Sequence, residues 1–278
     1  MPAKLTGSEL LEANQVLKTK QGKAELLLTP GVFFRAGDNS EVRMVSPGLA
    51  NTRVDLMKGS AILEVDELFR ENDLAVAVDG TTTRIDKTGL YAFNANQLAV
   101  SVLDGKATVY EGDSHITLKK GHEVLLANGE PFKSQHLDKQ AVETDPLYRW
   151  SKLRSEYEAE ANVDAAQMVV AYGGWFGPGW YWDPFWDFYA FLPGDGMLFS
   201  PFGWGLYSPG WVRWAPYYGH YHYPVVRGRG FRSSGPVAHP YNGARGFAMA
   251  PRIPSGFHGG FGGFHGGGGG FRGGFGRR

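Results

Sequence analysis

The chain has 278 residues, no cysteine, and 28 acidic against 28 basic residues, so its formal net charge is zero. The lack of cysteine excludes disulfides, thiolate metal sites and cysteine nucleophiles. The charge is unevenly distributed: no Asp or Glu follows Asp195, but nine arginines do, which leaves 19 basic against 28 acidic residues in 1–195. We therefore expect an acidic body and a basic tail, which either attract each other or bind different partners.

The sequence contains no apolar run long enough to span a bilayer. Its start, MPAKLTGSELLEANQ, lacks the charged region and apolar middle of a signal peptide. Taken literally, this start predicts that the chain is not exported and stays in the cytoplasm. A start taken from within a longer precursor is the alternative, and it would place the protein in the periplasm or cell envelope.

From Leu10 to about Phe132, short apolar runs alternate with turn signals at a spacing of about eight to twelve residues, which is typical of all-β domains. Val54 and Leu56 alternate with polar residues, as do Ile116 and Leu118, so one face of each strand should be buried. Three dipeptides predict chain reversals, because glycine tolerates positive φ: Asp79-Gly80, Asp104-Gly105 and Asn128-Gly129.

A helix is predicted over PLYRWSKLRSEYEAEANVDAAQMVV. Asp145 precedes Pro146, which is typical of an N-cap followed by a first-turn proline. Trp150, Leu153 and Tyr157 recur at helical spacing, and we expect them to pack this helix against the β domain.

The stretch from Tyr172 to Trp214 holds seven of the eight tryptophans among many glycines and prolines. Proline and glycine interrupt long helices and central strands, so we expect an irregular segment. Its rings could cover an open face of the β domain, stack on sugar rings, or lie at a membrane interface. The ligand-binding candidates are Trp175, Trp180, Trp182, Trp186, Trp204, Trp211 and Trp214.

The predicted organisation has four parts: a β domain (1–137), a docking helix (138–170), a Trp/Gly/Pro-rich segment (171–227) and a Gly/Arg/Phe/His-rich tail (228–278). The tail has too few side chains to bury against the entropy of ordering its backbone. We expect it to be disordered and capable of self-association.

The pattern T..G.AE..L..G...R.G..S.V is present in LKTKQGKAELLLTPGVFFRAGDNSEVRMV. With VDLMKGSAILEV, KTGLYAFN, VSVLDGKATV and ITLKKGHEVLL, it makes residues 10–130 resemble the FecR-type domain of bacterial envelope proteins. The longer arrangement resembles exported proteins of Acidobacteria-type soil bacteria. The resemblance implies a mainly β periplasmic domain of sandwich or solenoid type, which in well-known members relays a signal to an anti-sigma system. Those members also carry a membrane helix, so for this sequence we expect binding outside the cytoplasm rather than transmembrane signalling.

Other candidate chemistry is weaker. Asp183 and Asp187, with Asp195 nearby, are the residues that a glycan-active enzyme would use as paired carboxylates; we expect them instead to solubilise an apolar strip or to pair with Arg213. Residues His220 and His222 share a side of an extended strand, while His258 and His265 lie in the tail, and we expect no dedicated metal site and no cofactor. Ser40 is interpreted as a turn hydroxyl rather than a nucleophile.

We therefore expect a non-enzymatic FecR-like envelope protein with a structural, ligand-binding or regulatory and sensory role. Its expected partner is an envelope polymer, such as cell wall or polysaccharide, or an envelope protein. The alternative outside this class is a nucleic-acid-associated protein acting through the Arg/Gly-rich tail, and the remaining alternative is the glycan-active enzyme.

Overall fold

The computed structural model describes residues 9–126, 132–183 and 188–214, which form 18 strands and three helices. The strands are β1 Val16–Lys18, β2 Ala24–Leu27, β3 Val32–Ala36, β4 Glu41–Gly48, β5 Asn51–Lys58, β6 Ser60–Val65, β7 Asp73–Val78, β8 Thr81–Ile85, β9 Gly89–Asn94, β10 Ala99–Asp104, β11 Lys106–Glu111, β12 Ser114–Lys119, β13 His122–Leu125, β14 Ser134–His136, β15 Gly179–Asp183, β16 Phe188–Leu192, β17 Met197–Phe199 and β18 Gly205–Tyr207. The helices are α1 Lys139–Thr144, α2 Pro146–Tyr172 and α3 Pro209–Trp214.

Two seven-stranded sheets build the β domain. Sheet 1 has the strand order β1-β4-β5-β7-β8-β11-β12, and sheet 2 has the order β14-β13-β10-β9-β6-β3-β2. Neighbouring strands are antiparallel, except that β5 and β7 run parallel. The mainly β prediction is confirmed.

The two sheets pack face to face over an apolar core. Strand alternation sends Val54 and Leu56 of sheet 1 inward, where they meet Phe34 and Leu63 of sheet 2, and all four side chains are buried. The neighbours of these residues along each strand point away from the core, because successive side chains lie on opposite faces of a strand. The predicted alternation of buried and solvated positions is confirmed at Val54 and Leu56.

The predicted reversals have different roles. Asp79 and Gly80 both have positive φ (48° and 79°), as a type I′ turn requires, and they join β7 to β8 as a hairpin. Asp104-Gly105 instead carries the chain from β10 in sheet 2 to β11 in sheet 1. Asn128-Gly129 lies outside the described residues.

Strand β8 was not predicted from the apolar runs, because its sequence TTTRI is mostly polar. Thr83 of this strand is nonetheless fully buried.

Helix α2 begins as predicted, since the Asp145 side chain accepts a hydrogen bond from the Tyr148 amide at 2.8 Å. Its packing face is not the predicted one. Trp150 packs partly against sheet 2, but Leu153 is 40% exposed and Tyr157 is not part of the buried face. The buried positions include several polar residues: Ser151, Ser155, Glu158 and Asn162. The apolar spacing misled the prediction because this helix faces buried charges on sheet 2.

The aromatic segment is more regular than expected. It forms two antiparallel pairs, β15–β16 and β17–β18, followed by the short helix α3. Both pairs contact α2, and with it and α3 they form a layer, here called the cap, over the outer face of sheet 2. The predicted tail, residues 228–278, lies outside the described residues, which end at Trp214.

Candidate functional site

The aromatic residues of the cap divide into buried and exposed rings. Trp180 packs edge-on against Phe33 of sheet 2, with ring centroids 5.2 Å apart, and against Phe191 at 5.8 Å. Trp204 is buried in the same cluster. These rings cover the outer face of sheet 2, and that use leaves the faces of Trp204 inaccessible to a ligand.

Three of the candidate tryptophans present surface to solvent. Trp175, Trp182 and Trp211 are 37%, 45% and 48% exposed. Trp186 and the side chain of Trp214 lie outside the described residues.

Trp182 and Tyr189 form an exposed aromatic pair. They lie opposite each other on β15 and β16, and their ring centroids are 5.1 Å apart in an edge-on arrangement. Because alternate residues share a face, they continue the face on which Trp180 and Phe191 contact sheet 2. The hairpin therefore has a buried inner half and an exposed outer half, and the outer half carries two neighbouring rings.

Among the described residues, exposed aromatic side chains are confined to the cap and its loops. Within residues 9–126, 132–183 and 188–214, every exposed Trp, Tyr and Phe falls between Tyr172 and Trp211. They are Tyr172, Trp175, Phe176, Trp182, Tyr189, Phe199 and Trp211. The β domain exposes large aliphatic side chains, such as Met57 and Leu125, but no aromatic one.

The candidate carboxylates are not brought together in an open site by the described residues. Asp183 is fully buried at the end of β15. Asp195 lies exposed in the turn after β16, where its Oδ1 accepts a hydrogen bond from the Gly196 amide at 2.7 Å. Asp187 is outside the described residues.

Beneath the cap lies a buried ion network that the sequence analysis missed. Arg35 of β3 is fully buried and lies between two carboxylates of the same sheet. Its Nε donates to Glu25 Oε2 at 2.6 Å, and its Nη1 donates to Glu64 Oε2. A buried guanidinium needs such partners, because an unpaired charge in the interior is strongly unfavourable.

Helix α2 completes the network from the other side of the interface. Arg154 donates to Glu25 Oε1 at 2.6 Å and to Glu158 Oε1 at 2.8 Å. Ser155 Oγ donates to Glu64 Oε1 at 2.6 Å and also lies 3.2 Å from Ser200 Oγ, in the turn between β17 and β18. The network thus joins sheet 2, α2 and the second hairpin.

A buried amide performs the same joining function further along α2. Asn162 Nδ2 donates to the carbonyl oxygens of Phe191 and Tyr207, and its Oδ1 accepts from the Tyr207 amide at 2.7 Å. One side chain thereby connects the helix to both hairpins. Such fully satisfied polar groups fix the relative position of the parts that they join.

The network contains more acids than bases, and this shifts their pKa values. Burial, and then the nearby charge of Glu64, raises the pKa of Asp66 well above its usual range. Burial, followed by Glu25, does the same to the pKa of Glu158. Burial also opposes ionisation of Glu25, but Arg154 and Arg35 outweigh it and lower the pKa of Glu25 to about 2. Glu25 is therefore ionised and pairs with both guanidiniums.

Two members of the network belong to the sequence pattern that carries the FecR resemblance. Glu25 and Arg35 are its E and R positions, spaced so that they become cross-strand partners of β2 and β3. An acidic residue and an arginine within otherwise apolar strands are the sequence signal that could have revealed the buried network. The Ser of the same pattern, Ser40, is buried and hydrogen-bonded to the backbone of Ser60, as its interpretation as a structural hydroxyl requires.

Within the described part of the chain, no group of three or more His, Cys, Asp or Glu side chains is arranged to hold a metal ion. His220, His222, His258 and His265 fall outside that part. No helix of the described residues is long and apolar enough to cross a membrane.

Comparison with known proteins gives a limited result. No protein-family model and no curated protein matches the chain. Two crystal structures of candidate anti-sigma factors from Parabacteroides distasonis are similar. The first has 17% identity and a TM-score of 0.40 over 46% of this chain, and the match spans 63% of that protein's length. The second has 12% identity and a TM-score of 0.41 over 64% of this chain and 98% of the other. A likeness of this size carries no argument about function, and the resemblance to FecR-type domains rests on the sequence pattern alone.

Proposed function

We propose that this protein is a non-enzymatic binding component of the bacterial envelope, and that its cap binds a hydroxylated polymer of the cell wall or an envelope polysaccharide. The observation that carries the proposal is that, in the described part of the chain, exposed aromatic rings lie only in the cap and its loops. Trp182 and Tyr189, which are 45% and 41% exposed on one hairpin face, are its centre.

Sugar rings suit such a surface, because they have an apolar face of C–H groups and a rim of hydroxyls. Aromatic rings remove the apolar face from water, while the polar edges of Trp and Tyr hydrogen-bond to the rim. The inner half of the hairpin supports this surface, since Trp180 packs on Phe33 of sheet 2 and Phe191 packs on Trp180. The resemblance to FecR-type domains supports a location in the periplasm or at the cell envelope.

The test is retention on purified peptidoglycan and on envelope polysaccharide. Trp182→Ala and Tyr189→Ala should each weaken retention about fivefold, since a stacked ring contributes about 1 kcal/mol. Trp182→Ala should leave the melting temperature nearly unchanged because much of its side chain is exposed. Met57→Ala, which removes an exposed side chain of sheet 1, is the matched control and should bind like the parent protein.

Three outcomes would count against this proposal, and two of them would favour another function. Equal retention of the parent and Trp182→Ala would refute binding through the aromatic pair. Steep loss of binding with salt, together with affinity for RNA, would favour the nucleic-acid alternative, because neutralising phosphates releases counterions. Soluble sugar fragments released from the polymer, and lost in Asp187→Asn, would favour the glycan-active enzyme.

A further inference from the structure

Two histidines face each other at the edge of sheet 2. His122 of β13 and His136 of β14 are directly opposite in the antiparallel register, and their ring centroids are 4.7 Å apart. Strand β14 is the outermost strand of the sheet, and its three residues are all exposed. The two imidazoles are therefore neighbours at a place that an ion from solvent can reach.

The hydrogen bond of His122 decides which of its nitrogens can bind a ligand. Its Nδ1 lies 3.2 Å from the carbonyl oxygen of Lys120. A carbonyl oxygen only accepts, so Nδ1 carries the proton and Nε2 of the neutral ring keeps its lone pair. Metal-binding histidines commonly hold their second nitrogen in this way, with its N–H bonded to a backbone carbonyl.

The separation of the rings matches that of two imidazoles on one ion. A Zn–N bond of about 2.1 Å places the ion roughly 3.2 Å from each ring centroid. An angle at the ion between about 90° and 109° then separates the centroids by roughly 4.5 to 5.2 Å. The observed 4.7 Å falls inside this interval.

We propose that His122 and His136 form a two-histidine chelate for a divalent first-row transition ion such as Zn²⁺, Ni²⁺ or Cu²⁺. Imidazole nitrogen is a preferred ligand of these ions, whereas Mg²⁺ and Ca²⁺ take oxygen ligands. Water fills the remaining coordination positions, because no third metal-binding side chain joins the pair in the described part of the chain. The bound ion ties β14 to β13, where three residue pairs otherwise hold it.

The test titrates ZnCl₂, and separately NiCl₂, into the full-length protein and compares it with His136→Gln and His122→Gln. One binding step should weaken on the order of 100-fold in either variant, because the remaining imidazole loses the effective concentration of its neighbour. His115→Gln is the matched control: His115 is exposed on β12 and stacks on Tyr110, and its loss should leave that step intact. The histidines beyond Trp214 are present in every protein compared, so their contribution cancels.

A second measurement locates the ion. Zn²⁺ should slow hydrogen exchange in β13 and β14 of the parent protein and of His115→Gln, but not of His136→Gln. Circular dichroism checks that each variant is folded. Identical titration curves for the parent, His122→Gln and His136→Gln would overturn the proposal, as would Zn²⁺ protection of β14 that survives in His136→Gln.

Discussion

The two faces of sheet 2 are buried by different kinds of contact. On the inner face, Phe34 and Leu63 meet sheet 1 in a core made almost entirely of apolar side chains. On the outer face, the same two strands, β3 and β6, present Phe33, Arg35 and Glu64 to the cap. The inner interface is a hydrophobic core, whereas the outer interface combines aromatic packing with a network of buried charges.

This difference indicates which interface fixes the position of the cap and which contributes mainly buried area. Apolar burial contributes roughly 25 cal/mol per Å² and does not depend on direction, so the inner core tolerates small shifts. Hydrogen-bonded charges are favourable in one arrangement only, because any displacement leaves a buried ion without its partner. We infer that the network fixes where α2 and the hairpins sit on sheet 2, while the aromatic rings supply the area.

The largest effect is expected from removing the central cation. Arg35→Met leaves Glu64 buried without a guanidinium and leaves Glu25 with Arg154 alone, and breaking a buried pair in this way costs about 3–5 kcal/mol. The free energy of unfolding from urea titration measures it. Arg43→Met is the matched control, because Arg43 pairs with Asp55 on the outer face of sheet 1 and is 43% exposed. Such pairs contribute about 0–1 kcal/mol.

If Arg35→Met and Arg43→Met lowered the free energy of unfolding equally, the network would not differ energetically from a surface ion pair. The variant Arg35→Met with Glu64→Leu and Glu25→Leu sharpens the comparison further. Replacing a buried ion pair or triad by apolar residues of similar volume is often neutral or stabilising, and Arg154 keeps Glu158 as its partner. A stable triple variant whose cap is nonetheless more protease-sensitive would show that the network specifies position rather than stability.

The second test uses neighbouring residues on opposite faces of β3. Phe33→Leu and Phe34→Leu remove similar volumes from positions that are 1% and 0% exposed, and each should cost about 1–2 kcal/mol. Phe34→Leu should lower protection from hydrogen exchange in both sheets. Phe33→Leu should lower it mainly in α2 and β15–β18, because it loosens the contact with Trp180. The same pattern of protection in both variants would contradict the separation of the two interfaces.

The sequence predicts one of these interfaces well and the other poorly, for a physical reason. Alternation of Val54 and Leu56 identifies the inner core, since apolar side chains have no other common reason to alternate. On α2 the buried residues Ser155, Glu158 and Asn162 have the composition of a solvent-facing surface. Distant partners make them interior residues: Ser155 bonds to Glu64 of sheet 2, 91 positions away, and Asn162 bonds to the two hairpins of the cap. Apolar spacing within a single segment carries no information about such distant partners, so the predicted packing face fell on Leu153, which is 40% exposed.

The third test uses pH. The pKa values of Asp66 and Glu158 are raised in the folded protein, so their stabilising contribution is complete below their unfolded values near 4 and is lost as pH rises through the folded values. The pKa of Glu25 is lowered to about 2, so its contribution is present above its unfolded value of about 4.5 and is lost as pH falls toward 2. We therefore expect the cap to be most stable in mild acid and to loosen toward alkaline pH.

Glu158→Gln isolates one of these groups. The amide keeps an acceptor for Arg154 and resembles the protonated acid, so variant and parent should have similar melting temperatures at pH 5. At pH 9 the variant should be the more stable, because each group that has to bind a proton in the folded state costs up to about 1.4 kcal/mol per pH unit. A parallel pH dependence in both proteins would mean that Glu158 is ionised beneath the cap.

The smallest effect is expected from the opposite face of α2, where Glu160 lies one helical turn from Glu156 and from Asp164. Burial, and then these two acids, raises the pKa of Glu160 to about 7, so its ionisation disfavours the folded state as pH rises through 7. The side chain is only half-buried, and solvent screens the repulsion. The free energy of unfolding of Glu160→Gln, measured by urea titration, should therefore equal that of the parent near pH 4.5. At pH 9 it should be higher than that of the parent by about 0.5 kcal/mol. If Glu160→Gln gained as much stability at pH 9 as Glu158→Gln, the pH dependence would come from helix α2 as a whole. The buried network would then not be what controls the stability of the cap.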